Sequence, residues 1–370
     1  MLDKFKHEIS YCTYCPKMCR FSCPVTNAET RETVTPTTKL NFMQLIMDGA
    51  IELDREVAEV FYHCAGCLTC RAYCKHRINV PDVIEAARQE AVSKCVQPAL
   101  LDRHIKTFAE HKNPYGDRLR AKLDGLEQAH RLGKPAQYLY FIGCTTLFHY
   151  PDLAKSVIKL MDRSGLDFAV YAGDALCCGT PALLSGDVKA FKEVARQNAE
   201  ILNQYETIVT GCPSCMATLK LKYAEYGVHI KSKFVHATEL VAENVKSGRL
   251  QLKPRRNETV MYHDPCHLAK YFGVFDPPRY LLEKIYFADN ITEFSWNRDK
   301  NYCCGGGGLL PLTAPGVSRD ITKKRLEEFN EAAADILATA CPTCERTFHR
   351  ADPKMTVRDV ISLVAERLDG

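Results

Sequence analysis

The sequence predicts a multidomain α+β protein, with a small helical N-terminal domain followed by a duplicated α/β unit built on parallel sheet. Three observations carry that prediction. Two runs of four cysteines fall within the first 75 residues, a five-cysteine spacing occurs twice further on, and short apolar runs alternate with amphipathic patterns between those later cysteines. The chain of 370 residues exceeds one ordinary hydrophobic core. Its 46% hydrophobic and 25% charged content is that of a globular protein, and 49 basic against 45 acidic residues leave +4, spread along the chain. That balance gives no electrostatic footprint for nucleic acid or for a membrane surface.

The first twelve residues, MLDKFKHEISYC, lack a signal-peptide core, and no stretch approaches the ~18 apolar residues of a membrane span. A cytoplasmic chain is expected, reaching a membrane only through a partner subunit. Disulfides are rare in that compartment, so an odd count of 19 cysteines argues for metal ligation.

Cys12, Cys15, Cys19 and Cys23 lie in CTYCPKMCRFSCP, and Cys64, Cys67, Cys70 and Cys74 in CAGCLTCRAYC. Between them residues 39 to 61 show a helical apolar period, and NVPDVIEAARQEAV starts with a proline suited to a first helical turn. Residues 1–95 are therefore expected to form one helical domain. Cys95, within the helical stretch EAVSKCVQPALL, reads as a buried apolar side chain. Residues 96–135 contain HKNPYGD and RLGKP, whose turn residues suggest a connector with some helix.

From residue 136 the chain repeats itself. Cys144, 32 residues, Cys177-Cys178, 33 residues, Cys212-Pro-Ser-Cys215 is echoed by Cys266, 36 residues, Cys303-Cys304, 36 residues, Cys341-Pro-Thr-Cys344. Strands are expected at 137–143, 167–171 and 206–210, then at 259–263, 291–296 and 335–339. Helical patterns such as DLAKSVIKLMDRSG and VKAFKEVARQNAEILNQY separate them. The domains are placed at 136–250 and 251–370. In parallel α/β units sites gather at the C-terminal ends of strands, so all ten cysteines should collect at one edge. Adjacent cysteines on a regular strand point to opposite faces; Gly179 and Gly305 would permit the turn that aims both inward.

The first eight cysteines resemble the paired motifs of two-cluster ferredoxins, in which three thiolates close in sequence wrap one face of a 4Fe-4S cube and the other motif supplies the fourth. The resemblance implies Cys12, Cys15, Cys19 and Cys74 around one cubane cluster, and Cys23, Cys64, Cys67 and Cys70 around the other. Three residues rather than two separate Cys15 from Cys19, and Lys75 rather than proline follows Cys74, which leaves a three-iron variant open at the first site. Structural zinc also uses four-thiolate sets, although fused runs of four suit it poorly. The long interval between the motifs resembles the helical ferredoxin type of respiratory iron-sulfur subunits.

The two later sets resemble the CCG cysteine-rich domain family, and the whole chain resembles the D subunit of heterodisulfide reductase, a fusion of C and B subunits. Iron-sulfur subunits of anaerobic glycerol-3-phosphate dehydrogenase and glycolate oxidase are also similar. HDPCHLAKYFGVFDPPRYLL and CCGGGG lean toward the heterodisulfide reductase branch. The resemblance implies a Rossmann-like parallel sheet in each repeat, pseudo-two-fold symmetry and two noncubane 4Fe-4S clusters. Cys144, Cys177, Cys178, Cys212 and Cys215 would hold one, and Cys266, Cys303, Cys304, Cys341 and Cys344 the other. It also implies reduction of a small-molecule disulfide or related acceptor, a flavoprotein partner, and a membrane cytochrome or quinone-reactive subunit. The alternative is a relay that carries electrons between a flavoprotein and a quinone pool without chemistry of its own.

Other readings of these residues are weaker. The CPSC and CPTC pairs could be thioredoxin-like redox motifs, but those need no distant partners. Gly305–Gly308 could suggest a phosphate loop, but no Lys-Ser/Thr follows and no flavin or nicotinamide fingerprint occurs in the chain. Two of these glycines would suffice for the turn, and the excess could open room for a substrate. His63, His76, His263 and His267 flank cluster cysteines; His263 and His267 are the candidates for proton delivery.

Overall fold

A computed structural model of the chain describes residues 2–126, 131–254 and 256–368. Residues 127–130 of the expected connector, position 255 of the expected second repeat, and positions 1 and 369–370 lie outside the described residues.

The N-terminal part is helical. Its longer helices run Lys6–Thr13, Pro36–Met47, Arg55–Tyr62 and Val80–Ser93. Pro36 and Pro81 sit in first turns, where no backbone N–H is needed, and Thr35 caps the second helix by accepting from Thr38 N at 3.1 Å. The helical period over 39–61 is broken in the structure. Gly49 takes the left-handed conformation (φ +69°), Ala50 N donates back to Leu45 O at 2.9 Å, and Asp54 caps the next helix through Val57 N. A glycine at the helix end competes successfully with the apolar pattern on either side.

Cys95 differs from expectation as well. It is exposed, with φ +56°, two residues past Ser93 and directly after the C-cap Lys94. The chain must reverse there, and the side chain is carried out into solvent.

Each repeat folds as a four-stranded parallel sheet. In the first, β1 (Tyr138–Tyr140), β2 (Phe168–Val170), β3 (Thr207–Thr210) and β4 (Lys233–His236) are ordered β2-β1-β3-β4. In the second, β5 (Val260–His263), β6 (Ile291–Glu293), β7 (Ile336–Thr339) and β8 (Val357–Asp359) are ordered β6-β5-β7-β8. Leu139 pairs with Ala169 and Ile208; Met261 pairs with Thr292 and Leu337 in the same way. The strands are shorter than the apolar runs that announced them, and the edge strands β4 and β8 had no such run. Their lengths of three and four residues give propensity little to act on.

The two repeats share one core. Leu139, Val157 and Phe191 belong to the same buried cluster as Val260, Leu281 and Val360. Helix Pro151–Arg163, which follows β1, packs on Val360–Ala365, which follows β8. Reciprocally Asp276–Ile285, which follows β5, packs on Ala237–Lys246, which follows β4. That exchange of equivalent elements is the pseudo-two-fold relation. The connector helices Asp102–His111 and Arg118–Asp124 add Phe108, Leu119 and Leu123 to this core.

Helix Val80–Ser93 joins the halves. Ten of its residues are buried, including Glu85, Arg88 and Gln89, so it lies between layers rather than on a surface. Among the described residues no helix is long and apolar enough to cross a membrane.

Candidate metal centre

The repeat cysteines leave their strands where the backbone turns sharply. In the first repeat Gly143 (φ +83°) precedes Cys144, and a Cβ built there would stand 3.0 Å from Cys215 Sγ. Gly179 (φ +89°) follows Cys177-Cys178 and Gly305 (φ +93°) follows Cys303-Cys304, so both sulfurs of each pair turn inward as glycine freedom allows. Backbone N–H groups face the sulfurs: Gly179 N lies 3.5 Å from Cys177 Sγ, Gly305 N 3.3 Å from Cys303 Sγ, and Gly306 N 3.4 Å from Cys304 Sγ.

All ten thiols are buried, and none is in a disulfide. In the first set Cys177 is in hydrogen-bonding contact with Cys144 and Cys178, Cys178 with Cys215, and Cys215 with Cys212. In the second set Cys303 touches Cys266 and Cys304, Cys304 touches Cys344, and Cys344 touches Cys341. Cys212 also lies within electrostatic reach of Cys341, so the two sets face one another. Five soft donors converging with N–H groups aimed at sulfur fit an iron-sulfur cluster of more than four protein ligands.

The N-terminal cysteines form two further groups. Burial, then Cys19, Cys74 and Cys15 beside it, push the Cys12 thiol up to about 12. Cys70 is raised by burial and by the nearby Cys67, Cys19, Cys23 and Cys64. The extra residue between Cys15 and Cys19 is absorbed by Lys17 in the left-handed conformation (φ +60°). The second group touches the second repeat directly: Cys67 and Cys303 are in hydrogen-bonding contact, which with Lys270 holds the Cys67 thiol down to about 6 against burial. Lys270 Nζ ties the two parts together, donating to Cys67 O, Thr69 Oγ1 and Asn301 O at 3.2, 2.6 and 2.7 Å.

Gly305 makes the expected turn, while Gly307 and Gly308 answer to a further demand that was not expected. A Cβ on Gly307 would stand 2.3 Å from Ala65 O, and one on Gly308 only 1.8 Å from Cys64 O. The glycines beyond the turn let the second repeat approach the ferredoxin loop backbone to backbone. Gly306, Gly307 and Gly308 also line the cavity described next.

That cavity, of about 520 Å³, lies between the repeats and helix Val80–Ser93. Cys144, Cys178, Cys212 and Cys215 line it from one repeat, and Cys266, Cys304, Cys341 and Cys344 from the other. Arg346 and Arg350, one helical turn apart, also line it, and neither makes an ion pair among the described residues. Their field is felt by His149, whose imidazole burial, Arg346, Arg350 and Lys122 together hold down to about 4. Sequence reasoning missed both arginines. The signal was present in CERTFHR, where a helix started by CPTC puts positions 346 and 350 on one face.

Of the histidines, His267 lines the cavity, stacked on Tyr271 at 4.5 Å with its Nδ1 3.4 Å from Cys266 Sγ. His263 is fully buried. Arg325 Nε donates to its Nδ1 at 3.5 Å, so Nε2 carries the proton, and a ring nitrogen lies within 4.8 Å of the Cys304 and Cys344 sulfurs. The first repeat has Phe141 at the matching place before Cys144, so this donor serves the second set alone. His63 is paired with Glu29 and His76 packs on Tyr11, both away from the cavity.

Residues 138–220 and 260–349 match the CCG cysteine-rich domain family, and residues 8–78 match the 4Fe-4S dicluster domain family. The D subunit of the dihydromethanophenazine:CoB--CoM heterodisulfide reductase of Methanosarcina mazei is 28% identical over 98% of this chain and 94% of its own length. The EtfAB:quinone oxidoreductase of Syntrophomonas wolfei subsp. wolfei is 25% identical over 80% of this chain and 44% of its own. A hypothetical protein from Helicobacter pylori shares the fold, with TM-score 0.53 at 11% identity over 98% of this chain and 75% of its own. With two CCG cysteine-rich segments on paired parallel sheets behind a 4Fe-4S dicluster domain, the chain is an iron-sulfur protein similar over nearly its whole length to the D subunits of heterodisulfide reductase.

Proposed function

We propose that the chain is the catalytic subunit of a disulfide-reducing complex, with two cubane clusters at Cys12/Cys15/Cys19/Cys74 and Cys23/Cys64/Cys67/Cys70. Two noncubane clusters are held by the five-cysteine sets Cys144/Cys177/Cys178/Cys212/Cys215 and Cys266/Cys303/Cys304/Cys341/Cys344. The observation that carries this reading is the single cavity lined by four cysteines from each set. The clusters themselves would fill part of this space; its lining continues past the cysteines to Arg346, Arg350, Glu85 and Lys222, side chains that a relay between clusters does not require.

When bound, the clusters supply one-electron storage and transfer and, in the paired sites, iron atoms that can take the two sulfurs of an acceptor. The chain's own residues give this chemistry an order. Cys19 lies near Cys70, Cys67 touches Cys303, and Cys341 faces Cys212, so the four sets run in line with the second repeat's set nearer the ferredoxin domain. The buried N–H groups of the glycine turns and the Nε2 of His263 stabilise negative charge on sulfur. Arg346 and Arg350 favour an acceptor that carries negative charge of its own. Electrons would come from a flavoprotein subunit, and the domain limits at 95, 135 and 250 are part of the same proposal.

Likeness to the EtfAB:quinone oxidoreductase supports the second reading, an electron relay toward quinone. Anaerobic purification with iron and sulfide quantitation, followed by turnover of a panel of disulfides with reduced viologen, separates the two. About sixteen irons per chain and disulfide turnover are expected. About eight irons, or full cluster content with no turnover of any disulfide, would reject the catalytic reading.

A further inference from the structure

Cleaving a disulfide consumes protons as well as electrons. R–S–S–R′ takes up two electrons and two protons, one S–S bond breaks and two S–H bonds form. The cysteine sets account for the electrons, which a one-electron donor such as reduced viologen supplies. Thiolate leaving groups in a cavity lined largely by apolar surface also need an acid.

Glu85 lines the cavity from helix Val80–Ser93, with its side chain only 11% exposed. Its carboxylate stands 2.9 Å from Lys222 Nζ, which lines the cavity too. The same Nζ reaches Asp82 at 2.6 Å and Glu225 at 3.0 Å, whose side chains are 20% and 47% exposed. The four groups form a continuous path from the chamber to solvent. Three carboxylates share one ammonium, so full ionisation would leave excess negative charge beside the deepest of them.

Glu85 is faced by Lys222, Glu225 and Tyr226 from segment 218–226, by Tyr271 from segment 267–271, and by Asp82 and Arg88 on its own helix. Arg88 spends its donors on the carbonyls of Phe61, Leu184, Gly308 and Cys64, leaving Lys222 as the cation paired with Glu85. Burial raises the Glu85 carboxyl to about 7, against the pull of Lys222. A carboxyl held near the operating pH suits general acid work.

We propose that Glu85 is the proton donor of the cavity, protonating a thiolate released from the cleaved disulfide, and that Lys222, with Asp82 and Glu225, returns a proton to it from solvent. The second thiolate takes its proton from a second pass of the same path. This inference rests on the disulfide-reducing reading above. Because the acid form prevails below about pH 7, a step limited by this donor slows as pH rises through neutrality.

The test uses the cluster-loaded chain as wild type, Glu85→Gln and Glu85→Asp, reduced with viologen and given a disulfide. Glu85→Gln is expected to lower kcat by about 10²-fold or more with KM little changed, and to abolish the descending limb near neutrality. Glu85→Asp keeps the limb. Iron content and the electron paramagnetic resonance of the clusters stay as in wild type. Infrared spectra should show a carboxylic C=O band that vanishes between about pH 6 and 8 in wild type and is missing from Glu85→Gln. An unchanged kcat and pH limb in Glu85→Gln, or no titrating band in wild type, overturns the proposal while leaving disulfide reduction standing. If wild type turns over no disulfide although the band titrates, the disulfide reading fails and takes the donor role with it.

Discussion

At the scale of single residues, the close approach of Gly308 to Cys64 is the most exacting contact. Any side chain there meets the Cys64 carbonyl oxygen, which Arg88 holds by a hydrogen bond of 3.1 Å, and φ +65° adds strain of its own. Gly308→Ala is expected to lower stability by about 1–3 kcal/mol, measured by anaerobic denaturant unfolding, and to disturb the cubane cluster proposed at Cys64. An unchanged unfolding midpoint would mean that the two loops are not pressed together. The turn at Cys303-Cys304 was legible from its glycine, because the need for φ > 0 is a local property. The use of Gly307 and Gly308 was not, since the backbone they meet lies more than 240 positions earlier in the chain. Cys95 shows the converse: its apolar neighbours suggested burial, and one left-handed residue at a helix end turned it outward.

At the scale of elements, the cysteine turn after β6 is the junction between the ferredoxin and CCG parts. Cys303→Ala is expected to remove about four irons and to shift, without abolishing, the signal of the cubane cluster proposed at Cys67, because the two thiols are in contact. Electron paramagnetic resonance with iron quantitation checks both. A wholly unaltered cubane signal would contradict the Cys67–Cys303 contact, and a full iron content would remove Cys303 from the ligand set. The inner strands and long helices of the repeats were readable from period and apolar runs. The edge strands β4 and β8 were not, because three- or four-residue strands are stabilised by pairing with β3 and β7 rather than by their own composition. Helix Val80–Ser93 was foreseen as a helix, but its burial on nearly every side was not. Glu85, Arg88 and Gln89 look like a solvated face until the neighbours that cover them are known.

At the scale of the whole molecule, the two CCG repeats are one folding unit. They exchange helices across their pseudo-two-fold relation and bury a common core. A chain ending at residue 250 is expected to lose cooperative unfolding, since helix Pro151–Arg163 would lose Val360–Ala365, which packs on it, and Ala237–Lys246 would lose Asp276–Ile285. A sharp, reversible unfolding transition in that fragment would show that each repeat stands alone. Duplication was plain in the spacing of the cysteines, but their sharing of one core was not.

The sequence by itself determined the metal chemistry and the repeated parallel fold, because ligand type, ligand spacing and hydrophobic period are properties of short stretches. It also determined the chain's kinship, through the paired four-cysteine and five-cysteine motifs. Only the tertiary structure decided that Cys67 lies against Cys303, that both five-cysteine sets open on one cavity, and that Glu85 meets Lys222 at its wall. Those juxtapositions come from how helices and sheets stack, and stacking joins residues more than a hundred positions apart that carry no local mark of each other.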